Sequence, residues 1–172
     1  AGWDVYRNVP WWGYALVVFV YSLVVFYGVY FIQSGFFIKT IFRGSGDARA
    51  IALTFDDGPS AAYTPRVLDI LKEQGAPATF FCIGRNIAGN EALIERITRE
   101  AHLIGNHSFT HAVWFDLFPA RKIAAELQQT DRAIEALTGR RPAWFRPPFG
   151  VINPLVRDAV RLTGHRIVGW NI

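Results

Sequence analysis

Residues 8–38 carry no charged side chain. That feature restricts the N-terminal part of the chain more than any other, because a run of this kind has to be hidden from water. Its most apolar stretch, 11–32 (WWGYALVVFVYSLVVFYGVYFI), holds 22 residues. As a helix it is about 33 Å long, enough to cross the hydrocarbon core of a bilayer. Trp11, Trp12 and Tyr14 stand where an interfacial aromatic belt forms, and Lys39 and Arg43 supply polar anchors at the far end. A fully buried helix of a soluble domain is the competing reading, and the length of the uncharged run counts against it. A secretory signal peptide fits less well, since its apolar part is about 7 to 15 residues, preceded by basic residues and followed by a small-residue cleavage site. Here Gln33, Ser34 and Gly35 lead straight into Phe36 and Phe37. The sequence therefore predicts a transmembrane helix over about 11–32, within a membrane segment of residues 1–43.

Composition separates this segment from the rest. Of the 26 Phe, Trp and Tyr residues, 14 fall in the first 43 positions, where Asp4, Arg7, Lys39 and Arg43 are the only charges. From position 44 onward 15 Lys and Arg face 13 Asp and Glu, an ordinary globular balance. The net charge of +4 includes no basic cluster, so nucleic acid is not an expected partner. A single Cys, Cys82, excludes an internal disulfide framework and a Cys-rich zinc site. The absence of Met means no retained initiator, which reads as a processed or partial chain.

Residues 44–49 (GSGDAR) form a short linker rich in Gly and charge, and 50–172 a second domain. There 50–55 (AIALTF) reads as a buried strand, followed by strands over 78–83, 103–106, 143–145 and 166–170. Helical patterns lie between them: 64–74, stopped by Gly75, then 90–101 with Asn90 as N-cap, 120–137 and 154–162. Strands alternating with helices imply an α/β fold around a mainly parallel sheet.

In such folds the chemistry gathers at the C-terminal ends of the strands. The first strand runs into Asp56 and Asp57, the third into Asn106, His107 and, four residues on, His111, and the fourth into Arg146, Pro147, Pro148, Phe149 and Gly150. On a helical turn His107 and His111 would share a face and reach one metal ion. HxxxH alone is a weak signal, because two structural histidines give the same spacing. A carboxylate strengthens it: two His and one Asp make the ligand set of a catalytic zinc-type site with open positions. Only one of two adjacent Asp can comfortably join the pair, which leaves the other free to take a proton from water. Arg146 can hold that second carboxylate ionised and oriented. The bland readings are a solvated Asp-Asp turn and a surface arginine. A dehalogenase-type phosphatase needs Asp-x-Asp and an EF-hand loop needs alternating acceptors. Neither pattern is present, and no glycine-rich nucleotide-binding motif occurs.

TFDDGPS (54–60), AHLIGNHSFTH (101–111) and RPPFG (146–150) resemble the first three motifs of the polysaccharide deacetylases, the NodB-homology carbohydrate esterases. PATFFCIG (77–84) is similar to that family's second strand. The resemblance covers 50–172 and implies part of a distorted (β/α) barrel. It also implies roles. Asp56 would be the general base, Asp57, His107 and His111 the metal ligands, and Arg146 the tether of the base. Pro147, Pro148, Phe149 and Gly150 would shape the groove, with a backbone N–H near Phe149 as oxyanion donor. The implied cofactor is a divalent metal, zinc first, with cobalt or nickel as alternatives. His102 falls in the lead-in to the His motif, and His165 matches no functional position. The family's later motifs, including the general acid, have no counterpart before Ile172 and are expected beyond it.

The reaction implied is removal of N-acetyl groups from amino sugars of a cell-envelope or other polysaccharide. The alternatives are an O-acetyl esterase, a lipid-linked sugar deformylase, or a membrane-tethered saccharide-binding protein with an inactive site. Expected partners are a saccharide and the membrane. An envelope substrate places the domain outside the cytoplasm, whereas Lys39 and Arg43 after the span place it inside. The substrate argument is preferred.

Overall fold

Helix α1 runs over Trp11–Tyr30 and has no polar face. In the computed structural model, which describes residues 9–44 and 50–171, Gly28 is the only buried residue of these twenty. The described residues leave α1 uncovered, unlike a helix packed in the core of its own domain. The helix is long and apolar enough to cross a membrane.

It is two residues shorter than the apolar run. At Phe31 the backbone leaves the helical region (φ −99°, ψ 89°), and Ile32–Ser34 forms a 3₁₀ turn closed by Gly35 at φ 61°. Ile32 thereby belongs to the domain core with Phe145, Ile152, Val156 and Ile167 instead of prolonging the span. The Thr40 hydroxyl donates to the Ile32 carbonyl at 2.7 Å and fixes the turn.

Six strands form one parallel sheet: β1 (Thr40–Ile41), β2 (Leu53–Gly58), β3 (Ala78–Cys82), β4 (Leu103–Asn106), β5 (Trp144–Phe145) and β6 (Arg166–Val168). Their order is β1-β6-β5-β4-β3-β2. The five strands expected from sequence are present, and β1 is an addition. Thr40 and Ile41, inside the stretch assigned above to the membrane segment, pair with Ile167 and Val168. Two residues at the end of an apolar run carry no alternation from which a strand could be read. Of the linker, residues 45–49 lie outside the described residues.

Helices α2 (Thr64–Glu73), α3 (Glu91–Arg99), α4 (Ala120–Thr138) and α5 (Pro154–Thr163) connect the strands. Asn90 stands at the N-cap position of α3 without a side-chain cap bond, and Glu91 instead accepts from the Gly89 N–H at 3.0 Å. Asn153 does cap α5, accepting from the N–H groups of Leu155 and Val156. Apolar faces of the helices close two cores. One joins α4, α5, β5 and β6 to Ile32, and the other joins α2, α3 and β3 around Leu68, Phe80, Ile94 and Ile97.

Candidate metal centre and catalytic residues

Strand β2 runs further than its apolar residues and includes both aspartates. It pairs with β3 as far as Phe55, loses register, and resumes at Gly58. Within this bulge Asp57 has φ 65°, and Asn86 Nδ2 donates to the Asp57 carbonyl at 3.0 Å. A bulge re-aims side chains that a regular strand would send to alternate faces. The two adjacent carboxylates consequently both reach one site, where they meet different partners.

His107 and His111 are carried by a loop and not by a helical turn. Ser108 at φ 65° and His111 at φ 48° bend it, so the imidazoles converge through a tight turn instead of a shared helix face. The turn is held from all sides. Asn106 Oδ1 accepts from the Ser108 N–H at 2.9 Å, and Ser108 Oγ from the His111 N–H at 3.0 Å. Glu126 of α4 accepts from the N–H groups of Phe109 and Thr110 at 3.1 and 2.7 Å. Gly84 N–H donates to the Ser108 carbonyl at 2.9 Å. A Cβ on Gly84 would come within 2.4 Å of both the Phe109 ring and Thr130 Oγ1, so this approach requires glycine.

His107 Nδ1 lies 2.7 Å from the Arg146 carbonyl oxygen. A carbonyl only accepts, so Nδ1 carries the proton and Nε2 presents its lone pair. Burial, the largest influence, holds this imidazole below its ordinary pKa, which favours the neutral, ligating form. Nε2 of His107 and Nε2 of His111 stand 3.5 and 3.4 Å from Asp57 Oδ1, and ligand atoms of the three residues all lie within 4.8 Å of one another. Ligand bonds of about 2.0 to 2.2 Å in a tetrahedral shell put neighbouring ligand atoms about 3.3 to 3.6 Å apart. The donor set and its spacing fit a divalent cation. His107 is buried, His111 half-buried and Asp57 exposed, so the cluster opens towards solvent on the Asp57 side.

Asp56 turns to Arg146. Nη1 of the guanidinium donates to Asp56 Oδ1 at 2.7 Å and to Thr54 Oγ1 at 2.9 Å, and Nη2 donates to the Gly169 carbonyl at 3.0 Å. The guanidinium also lies 4.1 Å over the Phe81 ring. Arg146 is buried, not a surface residue. Of the loop that follows, Pro147, Pro148 and Gly150 are buried, while Phe149 is exposed at φ 56° with its ring 4.9 Å from that of His111. Phe149 thus presents the side chain at the rim, and the other three pack beneath it.

Sequence reasoning missed a second set of polar residues under the His loop. Asp131 of α4 is buried and accepts from Asn106 Nδ2 at 2.7 Å and Arg141 Nε at 2.9 Å, and its Oδ1 lies 3.0 Å from His165 Nε2. Asn106 thereby links Asp131 to the backbone of the His turn. The signal available was a lone Asp facing the apolar side of an otherwise amphipathic helix.

Comparison with known proteins places this arrangement. Residues 43–168 match the family described as Polysaccharide deacetylase. The chain is 37% identical over 123 residues to a peptidoglycan-N-acetylglucosamine deacetylase of Bacillus cereus, covering 72% of this chain and 57% of the relative. It is 39% identical over 121 residues to chitin deacetylase 2 of Saccharomyces cerevisiae, covering 70% and 37%. The fold superimposes on a CE4-family pseudoenzyme from Bacillus anthracis with a TM-score of 0.69 at 32% identity, covering 76% of this chain and 46% of that one. The chain spans 57%, 37% and 46% of these three relatives. With the parallel α/β sheet and three motifs in one order, the chain belongs to the polysaccharide deacetylase family.

Proposed function

We propose that the full-length protein is a metal-dependent hydrolase that removes N-acetyl groups from amino sugars of a cell-envelope saccharide. The observation that carries this reading is the division of the two adjacent carboxylates, Asp57 facing both histidines and Asp56 facing Arg146. The relatives named as peptidoglycan and chitin deacetylases support it. Asp57, His107 and His111 would hold a divalent ion, zinc first. When bound, such an ion polarises an acyl carbonyl and makes water more acidic.

Asp56 acts as the general base, taking a proton from the water that attacks the acetyl carbon. Arg146 fixes the Asp56 carboxylate through a charge-assisted bond, so the base is positioned before substrate arrives. A tetrahedral oxyanion forms at the acyl carbon, with the backbone N–H near Phe149 as its donor and the Phe149 ring as one wall of the groove, and its collapse breaks the C–N bond, releasing acetate as the proton taken by Asp56 passes to the departing amine. Helix α1 anchors the domain in the membrane, with the domain on the extracytoplasmic side where envelope glycans lie.

Acetate release from chitooligosaccharide and peptidoglycan fragments tests the reading. Release that a chelator abolishes and zinc restores is expected, and chelator-insensitive release, or zinc binding without any release, overturns it. Protease cleavage of the domain from outside intact cells is expected from the proposed sidedness.

A further inference from the structure

The end of α1 is locked to the rim that carries the site. The Ile152 N–H donates to the Val29 carbonyl at 3.1 Å, Gln33 Nε2 donates to the Trp170 carbonyl at 2.9 Å, and Ile32 is in the core. Val29 lies in the last turn of a twenty-residue helix, whose length of about 30 Å equals the hydrocarbon core of a bilayer. If α1 spans, as proposed above, Val29 and its partner Ile152 lie at the membrane boundary.

Ile152 is also close to the chemistry. Phe149 precedes it by three residues, a reach of at most about 11 Å, and the Phe149 ring is 4.9 Å from His111. The next residue, Asn153, donates through Nδ2 to the Asp116 carbonyl at 2.7 Å and draws the loop before α4 to the same rim. That loop exposes Val113 by 68%, Trp114 by 67% and Leu117 by 60%, beside Phe149 at 57%. Grouped apolar exposure of this kind marks a surface that meets something other than water. Trp and Phe beside the end of a spanning helix suit the headgroup level of a bilayer.

We propose that this rim is seated in the membrane interface, with Val113, Trp114, Leu117 and Phe149 at headgroup depth, and that the substrate is an amino sugar carried on a lipid. The substrate half rests on the hydrolase reading, and the depth rests on the span. A sugar held by a lipid is delivered to such a mouth, whereas a free soluble glycan has no advantage there.

The test uses the full-length protein in vesicles of phosphatidylethanolamine and phosphatidylglycerol. A fluorescent label on Trp114→Cys is read against one on Arg140→Cys, which lies at the other end of the sheet, before β5. Cys82 is fully buried, its thiol pushed up to about 12 by burial, and takes no label. Nitroxide-bearing lipids should quench the label at 114 strongly and at 140 weakly, and equal weak quenching overturns the seating. Acetate release is then compared between N-acetylglucosamine on a polyprenyl phosphate in the vesicles and soluble chitooligosaccharide. A kcat/KM at least about tenfold higher for the lipid-borne sugar is expected, cut several-fold by Trp114→Ser with the soluble rate unchanged. Equal rates overturn the lipid-borne substrate even where the label is quenched. Release from neither removes the hydrolase reading and the substrate with it, while quenching still decides the seating.

Discussion

Two clusters in this molecule both set an aspartate against histidine and are chemically opposite. In one, Asp57 Oδ1 stands 3.4 to 3.5 Å from two imidazole nitrogens, one of them a lone pair facing a carboxylate oxygen. In the other, donors on Asn106 and Arg141 contact Asp131 at 2.7 and 2.9 Å, with His165 at 3.0 Å. The Asp57 side chain is 66% exposed and that of Asp131 4%. Acceptors gathered around one point suit a cation, whereas donors paired with acceptors satisfy one another. Residue identity does not distinguish a metal centre from a structural knot; the direction of the lone pairs does.

The contrast is broken or sharpened first by exchanging what each cluster loses. Asp57→Asn, which keeps a side chain tolerated at φ 65°, should sharply weaken zinc binding in calorimetric titration and change metal-free stability by no more than about 0.5 kcal/mol, as expected for an exposed side chain. Asp131→Ala should do the reverse, costing about 1 to 3 kcal/mol in denaturant unfolding because Asn106 and His165 are left buried without their acceptor, with zinc stoichiometry kept in the folded fraction. Loss of zinc at unchanged stability in Asp131→Ala would erase the distinction. A smaller effect is expected from Arg146→Lys, which keeps the charge but cannot meet Thr54, Asp56 and Gly169 together. Its kcat/KM should fall on the order of 10²-fold while zinc still binds; an unchanged rate would remove Arg146 from the positioning of the base.

Acid should separate the clusters further. Burial works to raise the Asp131 pKa, but its bonds to His165, Asn106 and Arg141 outweigh that, and the carboxyl titrates below its ordinary value. Such a depressed group contributes stability that is fully present above the unfolded pKa of about 3.9 and is lost as pH falls from there through the folded pKa. Unfolding free energy should therefore drop more between about pH 5 and pH 2 in the wild type than in Asp131→Asn. Equal drops would place the acid sensitivity elsewhere. The smallest change is Glu126→Gln, which retains an acceptor for the turn but loses its charge. About 1 kcal/mol of stability and a few-fold in zinc affinity are expected, and an unaltered affinity would show that the turn holds its shape without it.

How much of this could be read from sequence follows from how local each cause is. Asp56, Asp57, His107, His111 and Arg146 each follow a strand whose apolar run is visible, so their gathering at one end of a parallel sheet was legible. The manner of their convergence was not. HxxxH suggests a helical face, but Asn106, Ser108 and Glu126 impose a turn through hydrogen bonds that spacing does not encode. The bulge that brings both aspartates to one site is equally hidden, because it arises from pairing with β3 and contact with Asn86. Asp131 and His165 come from distant segments, and nothing near either residue announces the other. That the helix ends two residues before the apolar run does was not legible, because Phe31 and Ile32 are as apolar as the residues before them and only the burial of Ile32 in the domain core sets it apart.

The pairing of β1 with β6 also has a consequence in time. Thr40 is made long before its partner Ile167, with β2 to β5 lying between them in the chain. The other strands can add in sequence, β2 to β3, β3 to β4 and onward, each beside a neighbour already present. Strand β1, the one nearest α1, must wait for all of them, because contacts between remote segments form only after the intervening chain has been ordered. Until β6 is in place, α1 and the sheet lack this backbone link.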